Sequence, residues 1–185
     1  MRKVILYNMV TLDGFFAGPN GELDWFVVDE ELNEYSIDLL SNVDTLLFGR
    51  VTYQLIADYW VSPSATTEIP IIADKMINLP KIVFSKMLQK VEWNNSRLLK
   101  ENIAEEICTM KQQPGKDMVI LGSSSIVSTF MQLGLIDEYR SIVNPVVLGK
   151  GKPLFNGVKD KLNLKLLKSK TFNSGVVALY YQPTK

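Results

Sequence analysis

Apolar residues occur along the chain in short continuous runs that alternate with segments of helical spacing. Residues 4–11 form a nearly unbroken apolar run, which is the pattern of a strand covered on both faces. Later buried strands are predicted at 45–48, 81–84, 118–121 and 138–148. The end of the chain predicts a hairpin, with strands at 162–172 and 176–181 joined by a turn at Asn173-Ser174-Gly175.

Apolar residues at intervals of three and four predict the helices between these strands. Leu32, Tyr35 and Leu39 share one face of the first helix, and acidic residues at 29–31 suit its positive N-terminal end. Further helices are predicted at 50–57, 71–78, 103–110 and 126–133, the last of which Gly134 would end as a C-cap. Residues 59–70, which include Pro63, are predicted to be loop.

Strands that alternate with helices indicate an α/β sandwich around a largely parallel sheet. The C-terminal hairpin should add an antiparallel edge, so the sheet is expected to be mixed. No repeat, low-complexity tract or linker divides the sequence. Residues 1–185 are therefore expected to form a single domain.

The composition restricts the chemistry, because the 185 residues include no histidine and one cysteine. A Ser-His-Asp or Cys-His nucleophile, a zinc site of histidine and cysteine, and an intrachain disulfide are excluded. A magnesium or calcium site made of carboxylates alone stays possible. Cys108 lies in a helical pattern and is expected to be buried. Any chemistry must then rely on carboxylates, hydroxyls, lysines, arginines or a cofactor.

Charge and hydropathy give no reason to expect nucleic acid or a membrane as a partner. Lys and Arg number 20, as do Asp and Glu, so the formal net charge is zero. No apolar run approaches the length of a membrane span, and no small-residue cleavage site follows the N-terminal apolar run. A cytoplasmic protein is expected.

Two segments place a glycine directly between a predicted strand and a predicted helix. In Gly122-Ser123-Ser124-Ser125-Ile126, free backbone N–H groups and serine hydroxyls suit a phosphate, although the serines could equally cap the helix. In Gly49-Arg50-Val51-Thr52, the forked charged donor Arg50 also suits a phosphate, although it could equally be an ordinary surface arginine. Neither segment has the spacing of a standard nucleotide fingerprint.

Acidic residues cluster beside aromatic rings in the first third of the chain. The members of this group are Asp13, Asp24, Asp29, Glu30 and Glu31, with Trp25 and Phe26 among them. A carboxyl group beside apolar rings is a candidate proton donor, because such surroundings raise its pKa. The alternative is that residues 29–31 only open a helix and that Asp24 lies in a turn.

Taken in order, these segments resemble the dihydrofolate reductase-like family, and in particular its branch related to the reductase domain of riboflavin biosynthesis. The residues that carry the resemblance are Met9 to Phe15 with Gly18, Gly21 to Trp25, Leu47 to Tyr53, Gly122-Ser123, Gly134 to Glu138, Pro145 to Gly149, Pro153 to Phe155 and Ser174 to Val176. They extend over essentially the whole chain. The resemblance implies a three-layer αβα sandwich, a homodimer, and NADPH bound across the carboxyl ends of the strands.

The resemblance also implies roles for individual positions. The residues expected to hold the phosphates are Gly49, Arg50 and Thr52. Ser85 and Lys86 are expected to face the adenosine ribose and its 2′-phosphate. The residues expected at the pyrophosphate are Gly122, Ser123, Ser124, Ser125 and Ile126. The residues expected beside the nicotinamide or the substrate are Asp13, Phe16, Asp24 and Trp25. Glu30 and Asp29 are the candidate catalytic acids, and no metal ligand is expected.

Two departures from the family pattern concern the substrate. The riboflavin-pathway reductase has an acidic residue before the glycine of the phosphate turn, where this chain has Leu121. Dihydrofolate reductase has an acid five residues after the pocket tryptophan, a position that Glu30 occupies here. The expected function is an NADPH-dependent reductase of a small planar, pterin- or pyrimidine-like substrate, similar to 5-amino-6-(5-phosphoribosylamino)uracil reductase. The alternatives are a nucleotide-binding module without turnover and a dihydrofolate reductase-like activity.

Overall fold

A mixed sheet with helices on both faces organises the structure, a computed structural model that describes residues 1–184. The strands are β1 (Val4–Thr11), β2 (Phe15–Ala17), β3 (Val43–Gly49), β4 (Lys81–Phe84), β5 (Ser96–Leu99), β6 (Asp117–Leu121), β7 (Glu138–Asn144), β8 (Lys152–Pro153), β9 (Leu164–Thr171) and β10 (Val177–Pro183). The helices are α1 (Glu30–Ser41), α2 (Arg50–Trp60), α3 (Pro63–Glu68), α4 (Pro70–Asn78), α5 (Ile103–Gln112) and α6 (Ser124–Gln132).

The sheet has eight strands in the order β5-β4-β3-β6-β1-β7-β10-β9, and β2 pairs with β8 in a separate two-stranded sheet. The strands from β5 to β7 are parallel to one another. β10 is antiparallel to β7 and to β9. The expected parallel sheet with a C-terminal antiparallel hairpin is confirmed.

Side chains of β1 alternate between the two faces of the sheet. Ile5 and Tyr7 belong to a core that includes residues of α1, α2 and α4, whereas Leu6 and Val10 belong to a core that includes residues of α5 and α6. Because both faces of the central strands are covered, these strands can be apolar throughout. The structure confirms the three-layer αβα sandwich.

Some elements differ from the sequence predictions. The segment predicted as loop at 59–70 contains the end of α2 and the whole of α3. Pro63 begins α3, where a missing N–H costs nothing, and the hydroxyl of Ser62 accepts a hydrogen bond from the Ala65 N–H at 3.4 Å. The strand predicted to reach residue 148 ends at Asn144, since Pro145 cannot donate to the ladder. Cys108 lies on the exposed side of α5 and is not buried.

The strand connections diverge at the carboxyl edge of the sheet, and we call the region between them the crevice. β6 is followed by α6 on one face, whereas its two neighbours β1 and β3 lead to α1 and α2 on the other face. Open α/β sheets bind ligands where adjacent connections diverge in this way. The carboxyl end of β6 is therefore the expected ligand position. Over residues 1–184, none of the helices is long and apolar enough to cross a membrane.

Candidate functional site

The two glycine-containing turns of the sequence lie side by side, because β3 and β6 are neighbours in the sheet. The backbone N–H of Gly49 donates a buried hydrogen bond of 2.9 Å to the hydroxyl of Ser123. A Cβ added at Gly49 would lie 3.0 Å from Oγ of Ser125 and 3.2 Å from Cγ2 of Ile126. Glycine therefore lets the first turn of α6 approach the end of β3 closely.

The turn at Gly122 and Ser123 also approaches the start of α2 closely. Gly122 and Ser123 have positive φ angles of 66° and 69°, so the chain reverses sharply as it enters α6. A Cβ at Gly122 would lie 3.1 Å from Cγ2 of Thr52. We call the group formed by Gly49, Thr52, Gly122 and Ser123 the cradle.

The helices that begin at the cradle have N-termini without side-chain caps. Gly49 is the N-cap of α2 and Ser123 is the N-cap of α6, and neither helix receives a side-chain cap hydrogen bond there. The Ser123 hydroxyl accepts from Gly49 instead of from its own helix. The first N–H groups of both helices are thus available to an anion, which the helix dipoles also favour.

Arg50, the first residue of α2, adds a positive charge beside the cradle. Its Nη1 donates to Oε1 of Gln54 at 3.2 Å. No carboxylate in residues 1–184 lies within ion-pair distance of this guanidinium. The side chain is half-buried and therefore offers a charged fork to a ligand.

Ser85 and Lys86 follow β4 at the same edge of the sheet. The Ser85 hydroxyl accepts hydrogen bonds of 3.1 Å from the N–H groups of Met87 and Leu88, so it shapes the turn. Lys86 is exposed and lines an open cavity of about 560 Å³ together with Lys100. Lys100 follows β5, a strand that the sequence did not predict, so its place at this edge was missed. Glu101 and Glu105 line the same cavity, so its charge is balanced overall and the two ammonium groups are its possible phosphate partners.

Asp13 and Phe16 lie in the segment after β1 that borders the crevice. The Asp13 carboxylate accepts hydrogen bonds from the Thr11 hydroxyl at 2.6 Å, the Leu148 N–H at 3.2 Å and the Gly149 N–H at 2.8 Å. The Thr11 hydroxyl holds the pKa of Asp13 below its usual value. Asp13 thus joins the loops after β1 and β7. Phe16 is half-buried on β2.

The predicted substrate residues Asp24 and Trp25 lie in the segment before α1. Asp24 is exposed. Trp25 is half-buried, its Nε1 donates to the carbonyl oxygen of Glu22 at 3.2 Å, and its ring packs edge-on against Phe26 at 4.5 Å. The aromatic pair is therefore only partly exposed, whereas Asp24 faces solvent.

The candidate acids Asp29 and Glu30 lie at the beginning of α1. Oδ1 of Asp29 accepts a hydrogen bond of 2.8 Å from the Leu32 N–H, so Asp29 is the N-cap. Glu30 is exposed. Both line an open, acidic cavity of about 520 Å³ with Glu31, Glu34 and Asn173. Neither carboxyl group is enclosed by apolar side chains, the environment that would favour a proton donor with a raised pKa.

Hydroxyl groups between α1 and the sheet were missed in the sequence. Oη of Tyr7 lies 3.5 Å from Oγ of Ser36, and the Tyr180 hydroxyl donates to the Tyr35 hydroxyl at 2.5 Å. Burial raises the pKa of Tyr7. These tyrosines occupy positions where apolar periodicity predicts core residues, so only the long-range packing shows that their hydroxyl groups meet.

Sequence comparisons identify the family of the chain. A model of the RibD C-terminal domain matches residues 2–178. The chain belongs to the RibD C-terminal domain family. YyaP of Bacillus subtilis (strain 168), which is itself uncharacterized, is 40% identical over 184 residues, covering 97% of this chain and 94% of YyaP.

Solved structures confirm the fold expected for the RibD C-terminal domain family. A putative riboflavin biosynthesis protein from Shewanella sp. PV-4 has a TM-score of 0.78 and 22% identity, and the match covers 99% of both chains. Dihydrofolate reductase from Enterococcus faecalis, complexed with NADP(H), has a TM-score of 0.67 and 14% identity, with 99% of this chain and 97% of that chain covered. At such identities the likeness shows a shared dihydrofolate reductase-like fold.

In this member of the RibD C-terminal domain family the cradle fits a phosphate-bearing cofactor. The glycines leave no Cβ in the space where the turns meet, and the helix N-termini and Arg50 carry unpaired positive charge. Leu121, which immediately precedes the cradle, packs partly buried against the core on the side of α1. The end of β6 therefore presents an apolar side chain to the crevice.

Proposed function

We propose that the protein is an NADPH-dependent reductase that transfers hydride to a small planar substrate of the pterin or pyrimidine class. The observation that carries this proposal is the cradle, in which the 2.9 Å hydrogen bond from Gly49 to Ser123 joins two uncapped helix N-termini beside Arg50. Two anion-binding turns side by side suit the two phosphates of a dinucleotide better than a single phosphate. The match to the RibD C-terminal domain family supports the same class of ligand.

The chain's own residues would bind and orient the reactants. The N–H groups of Thr52, Ser124 and Ser125, in the first turns of α2 and α6, would hold the pyrophosphate. Ile126 would lie beside it, because its own N–H donates to the Ser123 carbonyl oxygen at 3.1 Å. Arg50, Ser85, Lys86 and Lys100 would face the 2′-phosphate. When bound, NADPH supplies the hydride.

The substrate ring would lie on the apolar part of the crevice. Half-buried side chains at the carboxyl ends of the strands include Met9 of β1 and Leu121 of β6, and Val27 precedes α1. A flat apolar surface holds a planar ring in place, and positioning alone supplies a large part of the acceleration of a bimolecular reaction. Because Leu121 replaces the acid of the riboflavin-pathway reductase, we propose a substrate other than the ribosylaminopyrimidine.

Glu30 is the better of the two candidate proton donors. Asp29 already accepts the capping hydrogen bond of α1, whereas Glu30 has no hydrogen-bond partner among residues 1–184. An exposed carboxyl group exchanges protons readily with water. We therefore propose that Glu30, or a water molecule that it orients, delivers the proton to the substrate.

A nucleotide-binding module without turnover is the second candidate function. The observation that favours it is that neither Asp29 nor Glu30 is buried, so the crevice has no obvious enclosed acid. The two functions differ in one measurement. Oxidation of NADPH with any member of a panel of pterins, pyrimidines and quinones supports the reductase, and binding without oxidation across the panel supports the module.

The decisive experiment is a titration of the protein with NADPH and with NADH, followed by tryptophan fluorescence. Arg50→Ala should weaken NADPH much more than NADH, because the 2′-phosphate loses a charge-assisted partner. Lys116→Ala is the matched control, since it also removes one positive charge but lies at the amino end of β6. Equal weakening of both cofactors would remove Arg50 from this role, and absence of NADPH binding by the unaltered protein would overturn the proposed function.

The proposal extends to the assembly and location of the protein. We propose a homodimer, which is supported by the edge strand β9, whose residues are all exposed. An uncovered edge strand is a surface that proteins usually pair or protect. We also propose a single domain and a cytoplasmic location, in keeping with the one cysteine among the 185 residues.

A further inference from the structure

Asn8 is a polar residue inside an apolar part of the sheet. It is 4% exposed, and its Oδ1 is buried without a hydrogen-bond partner among residues 1–184. Leu6 and Val10, its neighbours on the same face of β1, both belong to the apolar core on the side of α6. A buried amide without a partner destabilises the folded protein, so its presence requires an explanation.

The position of Asn8 in the sheet supplies that explanation. The pairing of β1 with β6 ends at Tyr7 and Leu121, and β6 then turns away at Gly122. β1 continues beside β7 as far as Thr11. Asn8 is thus the first residue of β1 beyond the last pair with β6, level with the cradle glycine Gly122, where β6 leaves the side of β1.

Other buried polar atoms without partners lie elsewhere in the described part of the chain. Ser96 begins the edge strand β5, Trp93 precedes it, and Ser174 lies in the turn between β9 and β10. None of these residues is at the carboxyl end of β1 or β6. Asn8 alone among these four combines an unpaired buried group with a position beside the cradle.

An asparagine amide both donates and accepts, so its best complement is another carboxamide. The dinucleotide of the proposed function carries one such group, on its nicotinamide ring. We propose that Asn8 is a positioning residue whose side-chain amide pairs with the nicotinamide carboxamide in the crevice between β1 and β6. This inference rests on the proposed function and adds the residue that would fix the orientation of the ring.

Asn8→Leu tests the inference, because leucine is similar in size and cannot form hydrogen bonds. The unliganded variant should melt at the same or a higher temperature than the unaltered protein, since no native hydrogen bond is lost. NADPH should bind about tenfold more weakly, as expected for one lost amide interaction. Binding of 2′,5′-ADP, which has the phosphates of the adenosine half but no nicotinamide, should not change.

A cofactor analogue isolates the contact further. The 3-acetylpyridine analogue of NADPH replaces the carboxamide by a methyl ketone and loses the donor. The unaltered protein should prefer NADPH to this analogue about tenfold, whereas Asn8→Leu should bind both equally. Asn8→Ala, which should lose the same preference, serves if the leucine variant does not fold.

The outcomes separate this inference from the proposed function. If the unaltered protein binds neither NADPH nor 2′,5′-ADP, the proposed function fails before any variant is made. If it binds both and Asn8→Leu binds NADPH equally well, Asn8 holds a buried water instead and the inference is overturned. Equal weakening of NADPH and 2′,5′-ADP would also overturn it, because the effect would not arise at the nicotinamide.

Discussion

Gly122→Ala is the substitution that probes the cradle most directly, and Gly134→Ala is its matched control. Gly122 has φ +66° and Gly134 has φ +63°, so alanine meets the same left-handed backbone strain at both positions. A Cβ at Gly134 has no atom within 4 Å, whereas a Cβ at Gly122 lies 3.1 Å from Cγ2 and 3.4 Å from Oγ1 of Thr52. The difference between the two variants therefore measures the contact inside the cradle.

The expected magnitudes follow from these two contributions. Left-handed strain costs about 1–2 kcal/mol, and the lower entropy of the unfolded chain returns about 0.4–1 kcal/mol, so Gly134→Ala should lose roughly 1 kcal/mol. Overpacking against Thr52 should add about 1–3 kcal/mol at Gly122. For a chain of 185 residues, each kcal/mol lowers the melting temperature by about 2–4 °C. Gly122→Ala should thus lower it at least twice as much as Gly134→Ala.

The assay combines urea denaturation with the NADPH titration, both at one temperature. Gly122→Ala should also weaken NADPH at least tenfold, because the methyl group displaces Thr52 from the start of α2. Gly134→Ala, at the far end of α6, should bind NADPH normally. Equal loss of stability in the two variants, with unchanged NADPH binding in both, would refute the cradle as a binding element.

The remaining predictions concern a proton donor, a buried lysine and the edge of the sheet. Glu30→Gln should lower kcat at least tenfold and leave NADPH binding unchanged, and a normal kcat would exclude Glu30 as the donor. Burial lowers the pKa of Lys81 to about 8, from 10.5 in the unfolded chain, so the free energy of unfolding should decrease as the pH falls from about 10.5 through 8. In Lys81→Met this decrease, of up to about 3 kcal/mol, should be absent, and urea denaturation from pH 7 to 11 measures it. Sedimentation should show a dimer at micromolar concentration. Leu166→Lys, which places a charge at a half-exposed site on β9, should dissociate this dimer, and a monomeric unaltered protein would contradict it.

The sequence predicts those parts of the fold that depend on local pattern. β1, β3 and β6 are buried on both faces, and their continuous apolar runs have few other interpretations. β5 was missed because its residues, Ser96–Leu99, are only partly buried at the edge of the sheet and show no run or alternation. α3 was missed because Pro63, a helix breaker in most positions, is also a favoured first residue of a helix.

In the candidate site, too, the sequence predicts local contacts but not contacts between residues that are far apart along the chain. Asp29 caps α1 by accepting a hydrogen bond from a residue only three positions along the chain. The sequence alone could therefore indicate capping as the alternative to a catalytic role for Asp29. The bond from Gly49 to Ser123 joins residues 74 positions apart, and no local pattern indicates that the serine hydroxyl would serve the neighbouring strand and not its own helix. Lys100 and Asn8 are similar cases, because their relevance appears only when strand order places them beside the crevice.

The internal bond of the cradle also determines where binding free energy can be gained. The Gly49 N–H, Ser123 and the Thr52 side chain are held by packing or by one another, so the cradle has its shape before any ligand arrives. Ordering of side chains costs about 0.5–1.5 kcal/mol each on binding, and the cradle avoids that cost. Lys86 is exposed, and Arg50 is held only by Gln54, so both must lose rotational freedom to contact a 2′-phosphate. We therefore expect the cradle to supply most of the affinity for the dinucleotide, and these two cations to supply the smaller and salt-dependent preference for NADPH over NADH.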